Sequence, residues 1–261
     1  MMSTRSSWDQ YALQDSIVSQ IGESNITRYK QKAYVDKVKA ILNSHFKAGD
    51  LILDIGCGVG KWVVYLIQNN IKCIGVDSSK IAVQKANEGL IRMGIDPVVK
   101  LGNATELEFK RESFDGIIAF GLIEHFPNHK QVLSKWVSLL KFGGRIIISL
   151  PNALRIDWLV WDALWINLLK RHKLIKISLK ASGFVTTFHG YEERWTPGYV
   201  NRLLQSVSLK NIKIQTLYTL LAPLYYHARI TNKIPESFFN LINPPRESKM
   251  LGLYVFGIGE K

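Results

Sequence analysis

Residues 53 to 60 read LDIGCGVG, an aspartate, Asp54, followed by glycines at alternate positions, Gly56, Gly58 and Gly60. Glycines so placed let the backbone approach a ligand closely and turn through left-handed φ values. Asp54 sets the sign of that ligand, because a carboxylate before the turn repels a pyrophosphate and suits a cationic amine or sulfonium. A dinucleotide fingerprint, G-x-G-x-x-G, is not met, since Lys61 follows Gly60. A second carboxylate, Asp77 in GVDSS, stands 21 positions beyond Gly56, where it can accept both hydroxyls of a ribose, with Ser78 beside it. Glu124 and His125 in GLIEHF add an acid and an imidazole. Imidazole titrates near neutrality, which makes His125 the first choice for a general base. The competing reading is a structural histidine capping the following helix. Farther along, FHGYEERW supplies His189, Tyr191 and Arg194 to bind substrate or close a site, or else forms a solvated polar loop.

A nucleoside without phosphate and with a positively charged tail meets these demands, and S-adenosylmethionine is that molecule. Methyl transfer from a sulfonium needs water excluded and a nucleophile held about 3 to 3.5 Å from the methyl carbon. A base helps only when the acceptor must lose a proton. The bland alternatives are a ligand-free strand-to-helix turn for the glycine loop and a helix N-cap for Asp77. Ser78 and Ser79 are equally able to cap.

These residues need elements to hold them. From Gly49 to about Pro151, short β-rich apolar runs at 51–56, 72–77, 97–103, 114–121 and 143–151 alternate with helical segments at 60–69, 79–93 and 129–141. Connections this short force right-handed crossovers. Residues 30–47 form a helix by the spacing of Ala33, Val38, Ile41, Leu42, His45 and Phe46. Residues 1–29 are expected to be a helical N-terminal cap in which Trp8, Tyr11 and Tyr29 lid the cofactor or pack the cap. A further helix opens at Thr196 as N-cap with Pro197 at its first position. Two last strands, KNIKIQTLYT and LGLYVFGIG, complete seven. The fold class is therefore α/β, a Rossmann-like, seven-stranded, mostly parallel sheet flanked by helices. One domain over 30–261 carries insertions at about 153–190 and 220–248.

On LDIGCGVG, GVDSS, GNATEL and FDGIIAFGLIEHF, in that order, the chain resembles the class I S-adenosylmethionine-dependent methyltransferases, in particular small-molecule and quinone-biosynthesis members. The resemblance is close over 30–152 and looser in the last strands. It implies Asp54, Gly56, Cys57, Gly58 and Gly60 under the methionine moiety, Asp77 and Ser78 at the ribose, Asn103 and Ala104 near the adenine, and Phe120 among the cofactor contacts. Glu124, Tyr191 and Arg194 are then expected at the substrate, and His125 and His189 in catalysis. Family members often carry Asp where this chain has Asn103, which keeps an acceptor for the adenine amine but removes the charge. Similar quinone and small-RNA enzymes can bind a divalent metal through an acidic residue three positions before the Glu-His pair and a distant histidine. Here the first of those positions is Gly121, so no metal is expected, although His189 offers the distant ligand. The implied activity is methylation of a small, lipophilic or aromatic acceptor. Alternatives are an RNA or DNA methyltransferase and a non-catalytic interaction subunit, the latter at odds with an intact glycine loop.

Hydrophobic content of 47% with 21% charged residues excludes wholesale disorder. Thirty-four Lys and Arg against 21 Asp and Glu give +13, which points to a polyanion, an anionic membrane surface or solubility. Two cysteines, Cys57 and Cys73, are too few for a zinc site or disulfide framework, so a reducing cytoplasm is expected. In WLVWDALWINLLKRHKLIKISLK, Trp158, Trp161 and Trp165 fall within roughly a 60° sector of a helix, with five cations close behind. Residues 157–180 are therefore an interfacial anchor at the inner face of a membrane, or a lid or dimer contact with solvated lysines. The chain is expected to be a monomer or homodimer without a transmembrane helix.

Overall fold

The computed structural model describes residues 25–153, 178–180, 183–186, 192–193, 195–218, 246–248 and 254–261. Helix α1 (Asn25–His45) leads into strand β1 (Leu51–Ile55), helix α2 (Lys61–Gln68), β2 (Lys72–Asp77), α3 (Lys80–Arg92), β3 (Val99–Leu101) and β4 (Phe114–Phe120). A 3₁₀ turn (Ile123–His125) precedes α4 (His129–Leu139) and β5 (Leu140–Pro151). Three short strands, β6 (Ser178–Lys180), β7 (Gly183–Thr186) and β8 (Glu192–Glu193), form a separate antiparallel sheet. The chain ends through α5 (Pro197–Ser206), β9 (Lys210–Tyr218), β10 (Arg246–Ser248) and β11 (Tyr254–Glu260).

The main sheet has the order β10-β9-β11-β5-β4-β1-β2-β3. Strands β1 to β5 pair in parallel, and β11 runs antiparallel to both β5 and β9. This is the expected seven-stranded, mostly parallel sheet, with the three-residue β10 added at one edge. The order reverses between β1 and β4, and a doubly wound sheet binds ligands at the carboxyl ends of the strands flanking such a reversal.

Both faces are covered, and the strands' two-residue period sorts side chains between them. Ile52, Ile118, Ile147 and Phe256 pack under α1, α2 and α3 with Val38, Leu42, Val63 and Leu90. Leu53, Ile117, Ile146 and Ile148 face α4 and α5 with Leu133, Trp136, Val200 and Leu204. Helix α1 begins at Asn25, earlier than the expected residue 30, since nothing between Ile26 and Lys30 is a helix breaker. Thr196 caps α5 as expected, its side chain accepting from the Tyr199 amide with Pro197 in the first turn. Most of the Trp-rich stretch, most of the second insertion and residues 1–24 lie outside the described residues. No described helix is long and apolar enough to cross a membrane.

Candidate active site

The glycine loop leaves β1 with φ of +72° at Gly56, +54° at Gly58 and +81° at Gly60. It is tied to the next strand by the amides of Gly56 and Cys57, which donate to the Val76 carbonyl at 2.8 and 3.1 Å. A Cβ built on Gly58 would meet none of the described residues within 4 Å. Its left-handed φ is the local reason for glycine there. Gly56 is restricted differently, for a Cβ would press on the Leu122 side chain at 2.9 Å.

Asp77 closes the far side. Its Oδ2 accepts from the Gly58 amide at 2.8 Å and its Oδ1 from the Ser79 amide at 2.9 Å. The capping role falls to Ser79, whose hydroxyl oxygen accepts from the Ala82 amide at 3.1 Å. Asp77 is thus held between loop and helix rather than used as the N-cap, and a carboxylate has lone pairs to spare for ribose hydroxyls. Ser78 is half-buried beside it.

Asp54 is 2% exposed, and its Oδ2 finds no hydrogen-bond donor among the described residues. Burial, reinforced by the Asp77 charge, pushes its carboxyl up to about 8. A buried carboxylate in that condition is stabilised by a cation. The loop, the orphaned oxygen and the ribose-type carboxylate therefore fit a nucleoside with a positive sulfur and amine. Cys57 and Cys73 are free and buried, and burial raises both thiols. Buried neutral thiols of this kind are packing residues rather than nucleophiles.

In the loop after β3 the Asn103 carbonyl oxygen accepts from the amide and hydroxyl of Thr105, both at 3.0 Å. The Asn103 amide nitrogen reaches Glu106 at only 3.4 Å. The Ala104 carbonyl accepts from Trp136 Nε1 at 2.8 Å, fixing this loop to α4. Phe120 ends β4 half-buried, its ring edge-on to Trp62 at 5.8 Å.

Beyond β4, Glu124 is 2% exposed while His125 is half-buried. His125 does not cap α4, whose N-cap position is Asn128. The structure thus brings Asp54, the glycines, Asp77, Phe120, Glu124 and His125 to one edge of the sheet. His189, Tyr191 and Arg194 lie outside the described residues, although β8, which includes their neighbours Glu192 and Glu193, runs beside the 3₁₀ turn. Among the described residues no three His, Cys, Asp or Glu side chains converge as metal ligands.

Sequence reasoning missed a group that α1 delivers to the same edge. The Tyr34 hydroxyl and Ser149 Oγ are 2.7 Å apart, and the Tyr34 ring lies 4.7 Å from that of Tyr254. Burial foremost, with the nearby Tyr254, Glu124 and Asp54, pushes the phenol far above its ordinary range, so it remains a neutral hydrogen-bonding group. Ser149 did carry a signal: it is a lone hydroxyl at the end of the apolar run IIISL.

Residues 46–179, just over half of the chain, match a family model described as a methyltransferase domain. An uncharacterised protein of Methanocaldococcus jannaschii is 33% identical over 159 residues, 60% of this chain and 58% of that one. The 27-O-demethylrifamycin SV methyltransferase of Amycolatopsis mediterranei is 30% identical over 106 residues, 40% and 39% of the two chains. The matched stretch thus spans less than two thirds of either relative. The crystal structure of an S-adenosylmethionine-dependent methyltransferase from Archaeoglobus fulgidus shares the fold, with TM-score 0.56 and 19% identity over 87% of this chain and 94% of that one. The chain belongs to the methyltransferase-domain family, the class I S-adenosylmethionine-dependent methyltransferases.

Proposed function

We propose that the chain transfers a methyl group from S-adenosylmethionine to a small, lipophilic or aromatic acceptor seated past the end of β4. The observation that supports this reading is the Asp54–Asp77 carboxylate pair beneath a left-handed glycine loop, Asp54 buried with one oxygen that no described donor reaches and Asp77 accepting from the Gly58 amide of the loop. The donor supplies a methyl group already activated on a positive sulfur. Gly56, Cys57, Gly58 and Gly60 cradle its amino-acid end, Asp77 and Ser78 hold the ribose, and Asn103, Ala104 and Phe120 border the adenine. Leu122 and the buried Ile123 exclude water beside the loop, and Glu124 orients the acceptor. His125 takes the proton when the attacking atom is a hydroxyl, and His189, Tyr191 and Arg194 complete the acceptor side.

Calorimetric titration with S-adenosylhomocysteine tests the site. Asp77→Ala and Gly58→Val should each weaken binding by at least about thirtyfold, given the strength of hydrogen bonds to charged groups. Unchanged affinity in both variants refutes the assignment. His125→Gln should leave that affinity intact while lowering methyl transfer to a phenolic acceptor by about 10²-fold or more.

A further inference from the structure

Two hydroxyls at the carboxyl edge of the sheet share one hydrogen bond but own two protons. The Tyr34 hydroxyl and Ser149 Oγ lie 2.7 Å apart, and neither has another hydrogen-bond partner among the described residues. One O–H is therefore left over. Burial decides which. Ser149 is 1% exposed, whereas Tyr34 is only half-buried, so the phenol is the hydroxyl that a ligand can reach. Ser149 accordingly donates to the phenol oxygen and leaves the phenol proton to point outward. The Tyr34 ring is held in place by Tyr254 at 4.7 Å and Phe256 at 5.8 Å.

The sheet register sets where that proton stands. Asp54 is opposite Ile118 and Phe120 is opposite Ser149, so the start of the glycine loop, Phe120 and Ser149 follow one another across the α1 face. At about 4.8 Å per strand, Ser149 stands roughly 10 Å from the loop. The Gly121 amide donates to the Ser149 carbonyl at 2.8 Å and keeps β4 and β5 in step there. Burial above all, with the charges of Tyr254, Glu124 and Asp54, keeps the phenol protonated, so both carboxylates lie within electrostatic reach of it.

A cofactor with an amino-acid end brings an ammonium and a carboxylate to this edge. Asp54, with its unmatched Oδ2, suits the ammonium. The carboxylate finds the loop already engaged: Gly56 and Cys57 donate to the Val76 carbonyl, Gly58 to Asp77 and Gly60 to the Cys57 carbonyl. Four of the five amides from Gly56 to Gly60 are thus spent within the protein. A neutral hydroxyl farther along the row offers the carboxylate a hydrogen bond, and the ammonium between them separates it from the Asp54 charge.

We propose that the Tyr34 hydroxyl, oriented by Ser149, binds the carboxylate at the amino-acid end of S-adenosylmethionine, opposite the ammonium held by Asp54. This rests on the methyltransferase reading above and adds α1 to the cofactor site. The test is calorimetry on the full chain with S-adenosylhomocysteine and with its decarboxylated analogue, the latter read by competition with the former. Tyr34→Phe should weaken S-adenosylhomocysteine about tenfold or more and leave the analogue unchanged. Ser149→Ala, which lets the phenol turn, should do the same by a smaller factor. Asp77→Ala should weaken both ligands, because both carry the ribose. Unchanged affinity for the analogue also verifies that the variants fold. Equal weakening of the two ligands in Tyr34→Phe overturns the proposal, as does S-adenosylhomocysteine affinity that this variant leaves intact. So does equal affinity of the unaltered chain for the two ligands, since the carboxylate would then contribute nothing. Absence of S-adenosylhomocysteine binding to the unaltered chain would instead sink the methyltransferase reading itself.

Discussion

At Asp54, folding and ligand binding pull against each other. The carboxyl is buried with one oxygen unmatched and titrates at about 8, against about 3.9 when unfolded. Between those two values the folded chain holds the proton and the unfolded chain does not. Stability therefore falls as pH rises from about 4 to about 8 and then levels off. Asp54→Asn should remove this slope: without ligand the variant should melt above the unaltered protein at pH 8.5, the gap narrowing toward pH 4. A melting-temperature series against pH checks it, and parallel curves would refute it. Binding a cationic donor should do the reverse and draw the proton off Asp54. S-adenosylmethionine affinity should then rise with pH up to about 8, with proton release visible as a dependence of the binding heat on buffer ionisation enthalpy.

Among the elements, α1 spans the sheet and is anchored at two points, Tyr34 within it and Phe46 just past its end. At the carboxyl edge, Tyr34 bonds Ser149 on β5. At the opposite edge, Phe46 fills the space left by Gly116 on β4, where an added Cβ would collide with the Phe46 ring and come within 2.7 Å of Ile52. The two anchors predict different mutational signatures. Tyr34→Phe and Ser149→Ala should each cost about 1 kcal/mol in denaturant unfolding, and the double variant little more than either, because they remove one shared bond. Gly116→Ala should cost about 1 to 3 kcal/mol through overpacking in a core with no slack. Additive losses at Tyr34 and Ser149 would show that the hydroxyls are not partners.

Taken whole, the molecule should behave as one binding unit in which ligand occupancy reports on the fold. S-adenosylhomocysteine at a hundred times its dissociation constant should stabilise the chain by about 2.7 kcal/mol, a rise of about 5 to 10 °C in melting temperature for a protein of this size. Asp77→Ala should abolish that rise while keeping most of the unliganded stability. Of the described cations, Lys141 is paired with Asp115 and Arg145 with Glu260.

The strands, their helices and the cofactor loop were readable from the chain because each depends on local chemistry: two-residue alternation, glycines in a tight turn, a serine or threonine opening a helix. Asp54, Gly58 and Asp77 lie within 24 residues of one another, so their spacing along the chain already pointed to the cofactor. Tyr34 and Ser149 meet only because the sheet and helices fold them together, across 115 residues. No periodicity encodes such a meeting. The sequence by itself determined which donor the chain is built to hold. The tertiary structure alone decided which side chains stand together past the end of β4, because Tyr34, Glu124 and Ser149 arrive from separate segments whose proximity is a property of packing.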